Sequence, residues 1–144
     1  MNVKFLTTFA MALVFALTAS LAHAAKDKEH FPFILGSNEA GTIADKLDTT
    51  RQALESKGFE IAGEYSPFQG AHVIVVTNNE LKKAAAEHDR AGYVAAQRVT
   101  LTEIDGKVQI SYTNPFYMAR AYSVKASLPG TVSALKDALG AQKE

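Results

Sequence analysis

The sequence contains no cysteine among its 144 residues. This absence excludes disulfide bonds, a thiol nucleophile, a redox pair, CxxCH haem attachment, a cysteine zinc cluster and a lipoprotein anchor. Net charge is also lacking, because 15 Lys and Arg balance 15 Asp and Glu without a block of one sign. Such a balance argues against nucleic acid or an anionic membrane as the main partner. We expect a soluble mature protein that packing alone stabilises.

A long apolar run is missing as well. The longest, from Phe5 to Leu17, is shorter than the ~20 residues that span a bilayer. It follows Lys4 and precedes Ala22-His23-Ala24, which is the layout of a secretory signal peptide with a small-residue cleavage site. The pattern predicts a signal peptide over residues 1–24 and a periplasmic location, with no membrane attachment after cleavage.

Cleavage would leave 120 residues, with 14 Lys and Arg against 15 Asp and Glu because Lys4 is removed. A chain of this size can bury one continuous core without metals or disulfides. We predict an N-terminal arm or short edge strand over residues 25–41 and a single α/β domain over residues 42–144.

Hydrophobic spacing predicts alternating helices and strands. Thr42 and Asp45 form a capping-box pattern at the start of the first helix, and Thr77 and Glu80 repeat it at the second. The predicted helices cover residues 42–57, the segment that begins at 80, and 131–139, and the predicted strands cover 59–65, 72–77, 94–104 and 107–113. This order predicts an α+β two-layer sandwich, with a mostly antiparallel four- to five-stranded sheet covered on one face by helices.

Asp105-Gly106 is a strong two-residue hairpin signal because both central turn positions need positive φ. Counting back from the turn places Leu101 opposite Ile110 and Thr100 opposite Ser111. The first pair lies on an apolar face and the second on a polar face. The Thr-rich polar face could pair with a second copy of the chain, which leaves a homodimer open.

The segment "VIVVTNNELKKAA" aligns with "QISYTNPFYMARA" at an offset of 36 residues. Each predicts a strand, an Asn and a helix start. Asn is a favoured helix cap, and Pro115 at a first helical position loses nothing by lacking an N–H. We therefore interpret Asn114-Pro115 primarily as the N-terminal cap of a helix.

The segment "GYVAAQRVTLTEIDGKVQISYTNP", with "GFEIAGEY" and "VIVVTNNEL" before it, resembles the bacterial family called domain of unknown function 302. The resemblance covers roughly residues 42–122 and implies a small α/β sandwich without an established activity. Many members carry a Pro-Cys pair before the arginine, where this chain has Ala96-Gln97. That departure argues against a thiol-dependent role here.

Four residues are candidates for ligand binding: Arg98, Asn114, Tyr117 and His72. The Arg98 guanidinium can bind a carboxylate or phosphate through two hydrogen bonds. Tyr117 offers a hydroxyl on a large apolar body, and His72 a titratable ring. The alternatives are a solvated Arg98 paired with Glu60 or Glu64, and a Tyr117 that packs its helix onto the sheet.

No motif for catalysis or metal binding is recognised. His30, His72 and His88 lack the HxH or HExxH spacing of a metal site, so we predict neither a metal nor a cofactor. Ser66, Ser111 and Ser123 lack a nucleophile-elbow setting. We interpret Glu60 and Glu64 as solubilising charges on the wet face of a strand.

The sequence therefore favours a non-enzymatic periplasmic module that binds a small ligand or a partner protein around Arg98 and Asn114. The alternative is a cofactor-free enzyme or a periplasmic metal carrier that uses His72 and Tyr117. We predict no catalytic residue.

Overall fold

The computed structural model describes residues 31–142. Over this range the chain forms five strands, four α-helices and one 3₁₀-helix. In chain order they are β1 (Phe33–Ala40), α1 (Ile43–Ser56), β2 (Glu60–Tyr65), β3 (Ala71–Thr77), α2 (Asn79–Ala85), the 3₁₀-helix (Asp89–Val94), β4 (Gln97–Ile104), β5 (Lys107–Thr113), α3 (Pro115–Ala121) and α4 (Pro129–Leu139). The predicted signal peptide lies outside the described residues.

The five strands form one sheet in the order β1-β5-β4-β3-β2. Every neighbouring pair is antiparallel. The helices cover one face of the sheet, so the predicted α+β sandwich is confirmed. β3, which is apolar on both faces, lies between two neighbours as expected for an interior strand.

Capping residues decide where the helices begin. Thr42 and Asp45 form the predicted capping box of α1. At α2 the prediction was one residue early, because Asn78 is the cap and its Oδ1 accepts a hydrogen bond from the Leu81 N–H at 2.8 Å. Glu80 does not close a box there but accepts hydrogen bonds from the first turn of α4.

The predicted hairpin register is confirmed. Asp105 and Gly106 adopt φ values of 51° and 72° in the turn between β4 and β5. Leu101 pairs with Ile110, and Thr100 pairs with Ser111. Leu101 is fully buried under the helices, whereas Thr100 is half-buried on the opposite face.

Alternation along the strands gives the sheet two different faces. The helix-covered face carries the core, which includes Ile74, Val99, Leu101, Ile110 and Tyr112. The opposite face, named here the open face, carries Phe33, Leu35, Tyr65, Val73, Val75, Arg98, Thr100, Thr102, Gln109 and Ser111.

The segment before α1 contains an eight-residue edge strand, β1, that pairs with β5. Its fit depends on Gly36, where a Cβ atom would lie 2.5 Å from the Leu139 carbonyl oxygen. Beyond α4, the Gln142 N–H donates to the Leu35 carbonyl at 2.7 Å. The end of the described chain is thus fastened to β1.

Candidate functional site

Arg98 lies on the open face of β4, near the end where β5 leads into α3. Its backbone N–H donates to the Thr113 hydroxyl at 3.1 Å. The side chain is exposed, and across residues 31–142 its guanidinium has no hydrogen-bond or ion-pair partner. The alternative pairing with Glu60 or Glu64 is wrong, because these carboxylates bind Lys82 and Arg51 instead. Among the described residues, the five N–H donors of Arg98 therefore have no acceptor.

Asn114 is buried and acts as the predicted cap of α3. Its Oδ1 accepts hydrogen bonds from the backbone N–H groups of Phe116 at 3.1 Å and Tyr117 at 3.4 Å. Its Nδ2 donates to the Phe31 carbonyl at 3.0 Å, and its backbone N–H donates to the Pro32 carbonyl at 2.9 Å. Asn114 thus fastens the segment before β1 to the same sheet end that carries Arg98.

The structure brings Arg98, Asn114 and Tyr117 to one end of the sheet but places His72 elsewhere. Tyr117 is 38% exposed in the first turn of α3. Val75 is the residue of β3 that pairs with Arg98, and His72 lies three residues earlier, opposite Leu101. Three residues along a strand correspond to about 10 Å and reverse the face. The four candidates therefore do not form one site.

A groove lies on the open face over β1 and β5. Its volume is about 470 Å³, and it is lined by Phe31, Pro32, Phe33, Ile34, Leu35, Gln109 and Ser111. The lining is mostly apolar, with one amide and one hydroxyl from β5. This volume is within the range of small-ligand sites, and such a mixture of many apolar groups and few polar groups is usual in them.

Arg98 lies close to this groove. Thr100 pairs with Ser111, so Arg98, two residues earlier on β4, is the diagonal neighbour of Ser111 on the open face. Diagonal neighbours in an antiparallel pair have Cβ atoms about 7 to 8 Å apart, a separation that a long side chain can bridge. The open face thus combines an apolar groove with an unpaired cation at its side.

A second cleft of about 290 Å³ lies on the helix-covered side between β1, α1 and α4. Its lining includes Lys46 and Glu39, which form an ion pair with each other. Because its cation is already neutralised, this cleft is a weaker site for an anionic ligand than the groove beside Arg98.

His72 belongs to a polar row at the edge of the helix-covered face. Its Nε2 is 2.8 Å from a carboxylate oxygen of Glu64, and its Nδ1 is 3.0 Å from the Ser66 hydroxyl. Arg51 of α1 donates two hydrogen bonds to the same carboxylate. Hydrogen bonds from Arg51, and then from His72, lower the pKa of Glu64 to about 2. Glu64 is therefore ionised at neutral pH.

The interpretation of Glu64 as a solubilising charge is wrong. The register of β2 shifts between Ile61 and Gly63, where one extra residue forms a bulge. The bulge turns Glu64 toward the helix-covered face, and its side chain is only 19% exposed. A prediction that assumes strict alternation of side chains along a strand cannot reveal such a shift in register. The length of the β2–β3 loop could have indicated the contact between Ser66 and His72. Five residues separate the two strands, so Ser66, the first residue of the loop, lies close to His72 near the start of β3.

The described part of the chain carries neither a metal-binding cluster nor a membrane-spanning helix. Between residues 31 and 142, no three His, Asp or Glu side chains come together as a metal-binding group. Within the same range, no helix is long and apolar enough to cross a bilayer.

Comparisons with known proteins identify the family and the fold. The family model described as "Domain of unknown function DUF302" matches residues 37–142. The structure is similar to the crystal structure of an uncharacterised conserved DUF302 protein from Bacillus stearothermophilus, with a TM-score of 0.67 and 14% sequence identity. The similarity covers 76% of this chain and 97% of that chain. No functionally curated protein matches the sequence.

Proposed function

This chain belongs to the family described as domain of unknown function DUF302, and from that premise we propose that it is a periplasmic binding module for a small organic anion. The ligand would lie in the open-face groove and place its anionic group at Arg98. The observation that carries this proposal is the unpaired guanidinium beside an apolar groove of about 470 Å³.

Charge and shape support a ligand with an apolar body and a single acidic group. Phe33 and Leu35 provide apolar surface, while Gln109 and Ser111 can fix the orientation of a polar substituent. A guanidinium binds a carboxylate, sulfonate or phosphate through two parallel hydrogen bonds. Asn114 acts at this site as a positioning residue, because it holds Phe31 and Pro32 where they line the groove.

The proposed role at the open face is binding without chemical conversion. The groove lining contains no carboxylate, imidazole or phenol that could move a proton. The alternative enzyme that uses His72 and Tyr117 together has no support, because the register separates His72 from the sheet end that holds Tyr117.

Two dyes with nearly the same apolar body test the proposal. 8-Anilinonaphthalene-1-sulfonate carries a sulfonate, and N-phenyl-1-naphthylamine is uncharged. Fluorescence titration of the mature protein should show that Arg98→Ala weakens sulfonate binding about tenfold, the loss of one charge-assisted contact. Binding of the neutral dye should be unchanged. Arg90→Ala removes another exposed arginine and is the matched control, which should alter neither dye.

Leu35→Asp should weaken the binding of both dyes, because it places a charge in the apolar part of the groove. Near-ultraviolet circular dichroism of each variant would verify that its packing is intact. Equal sulfonate affinity in the wild type and Arg98→Ala would overturn the proposal.

A partner protein is the second candidate, because exposed aromatic side chains stand at both edges of the open face. Phe33 on β1 is 58% exposed and Tyr65 on β2 is 49% exposed. A second copy of the chain would bury the same surface. Sedimentation analysis of the mature protein would detect a homodimer, and Thr100→Arg on the open face should dissociate it.

The periplasmic location is part of the proposal and has its own test. Mass spectrometry of the exported protein should find an N-terminus at Ala25, after removal of residues 1–24. Mass spectrometry of the protein purified from native periplasm would also identify any small molecule that co-purifies with it. An exported protein that retains Met1 to Ala24 would contradict the predicted cleavage.

A further inference from the structure

Three side chains at the β2–β3 hairpin form a hydrogen-bonded row. The Ser66 hydroxyl oxygen lies 3.0 Å from His72 Nδ1, and His72 Nε2 lies 2.8 Å from Glu64 Oε2. Hydrolytic triads activate a serine through the same order of a hydroxyl, an imidazole and a carboxylate, and here the two ring nitrogens are exchanged, with Nδ1 toward the serine and Nε2 toward the carboxylate. The open-face groove is lined by none of these residues, so the row is a separate site.

The carboxylate fixes which imidazole nitrogen carries the proton. An ionised carboxylate can only accept hydrogen bonds, so Nε2 of His72 must be the donor toward Glu64. In the neutral ring, Nδ1 then has a free lone pair and can accept the proton of the Ser66 hydroxyl. The ring is therefore in the tautomer that a general base for Ser66 requires.

Glu64 is itself held in place by α1. Arg51 donates to both of its oxygens, from Nε at 2.8 Å and from Nη2 at 2.6 Å. The other terminal nitrogen of Arg51 donates to Asp48 at 2.6 Å. Glu64 and Arg51 do not reach the hydroxyl of Ser66, so they are positioning residues that orient the imidazole.

Ser66 is accessible to a substrate, whereas the imidazole behind it is shielded. Ser66 is exposed in the hairpin loop, and the His72 side chain is only 15% exposed. Phe68, two residues further along the loop, is 64% exposed and offers apolar surface in the same loop. A small acyl group with an apolar leaving group suits this setting.

We propose that Ser66 is a nucleophile toward activated carboxylic esters, with His72 as its general base. As the Ser66 oxygen bonds to the ester carbonyl carbon, its proton passes to His72 Nδ1. The bond from that carbon to the leaving oxygen breaks, and His72 returns the proton to the leaving alcohol. Water then attacks the acyl-serine by the same proton route and releases the carboxylic acid, so that ester and water give acid and alcohol.

p-Nitrophenyl acetate and the mature wild-type protein provide the direct test. We expect release of p-nitrophenol and an acetyl group on Ser66, located by tandem mass spectrometry after a rapid quench. His72→Gln should lower the rate at least about 100-fold, since general-base catalysis contributes 10²–10⁴-fold.

Ser66→Ala should abolish acetylation at that position. Ser56→Ala is the control, because Ser56 is another exposed serine whose hydroxyl donates only to a backbone carbonyl, that of Ala53. It should leave the rate unchanged. Glu64→Gln, which can donate to the imidazole and reverse its tautomer, should reduce the rate, and a melting curve of each variant would show that it is folded. Acetylation of wild-type lysines without Ser66, or an unchanged rate in His72→Gln, would overturn the proposal.

Discussion

The guanidinium of Arg51 in α1 and the carboxylate of Glu64 in β2 form a two-point ion pair, with N–O distances of 2.8 and 2.6 Å. The pair joins the first helix to the edge strand of the sheet. Both side chains are mostly buried, with 33% and 19% of their surfaces exposed. Solvent therefore screens the pair less than an ordinary surface ion pair.

The pair should make stability depend on pH in the acid range. The pKa of Glu64 falls from 4.5 to about 2 in the folded chain, chiefly through the hydrogen bonds from Arg51. A lowered folded-state pKa gives stability that is complete above the unfolded pKa and is lost as the pH falls through the folded one. Glu64→Gln should cost about 1 to 3 kcal/mol at pH 5.5, and its difference from wild type should shrink toward pH 2. Urea unfolding at each pH measures this difference. Glu55→Gln, an exposed control on α1, should show no such trend.

Gly36→Ala should destabilise the fold, because the new Cβ atom would lie 2.5 Å from the Leu139 carbonyl oxygen and 3.3 Å from that of Ile110. These are backbone atoms, so neither can move aside cheaply. We expect a loss of about 1 to 3 kcal/mol in the free energy of unfolding. Gly63→Ala is the control in β2, where a Cβ atom meets nothing within 4 Å. It should change stability by less than about 1 kcal/mol, and equal losses would contradict the close approach of β1 to α4.

Asn114→Asp and Asn114→Ala should both be destabilising. Asp retains the cap of α3 but cannot donate to the Phe31 carbonyl, which the Asn114 Nδ2 does at 3.0 Å. Each variant should lose about 1 to 2 kcal/mol. Asn79→Asp is the matched control, because Asn79 is exposed in the first turn of α2, where a negative charge is favourable. Thermal melts should show Asn79→Asp close to wild type. A fully tolerated Asn114→Asp would mean that the contact with Phe31 adds nothing.

Leu101→Ala and Thr100→Ala compare neighbouring residues on opposite faces of β4. Leu101 is fully buried under the helices, so its truncation should cost about 2 to 5 kcal/mol. Thr100 is half-buried on the open face and should lose less than about 1 kcal/mol. Chemical denaturation of the two variants gives the comparison. Similar losses would show that the open face is covered in solution, as a homodimer would require.

Much of the fold could be predicted because its signals are local. The Asp105-Gly106 turn fixed the register of β4 and β5, since both residues adopt the positive φ that such a turn needs. Asn78 and Asn114 both follow a strand and cap a helix, as the 36-residue repeat indicated. The order of the five strands could not be predicted, because the first strand, β1, pairs with the last, β5. No local signal indicates a pairing between segments so far apart in the sequence.

The candidate sites depended much more on tertiary structure. Arg98 and Asn114 were predicted and do share one sheet end, since β4 and β5 are adjacent in a readable hairpin. The groove beside Arg98 was missed because Phe31 and Leu35 reach β5 only through the pairing of β1. The row from Ser66 to Arg51 was missed because the bulge at Ile61–Gly63 reverses the face on which Glu64 lies.

The sequence by itself determined the periodic elements, their caps and the two-residue turn, because each depends on residues within a few positions of one another. Tertiary structure decided which side of the sheet received Glu64, how β1 completed the open face, and that Arg98 has no partner among the described residues. These outcomes depend on contacts between distant segments, where a shift of one residue reverses a side chain. The side-chain pattern within β2 does not reveal where the register shifts between Ile61 and Gly63, so the packing of the whole domain decides it.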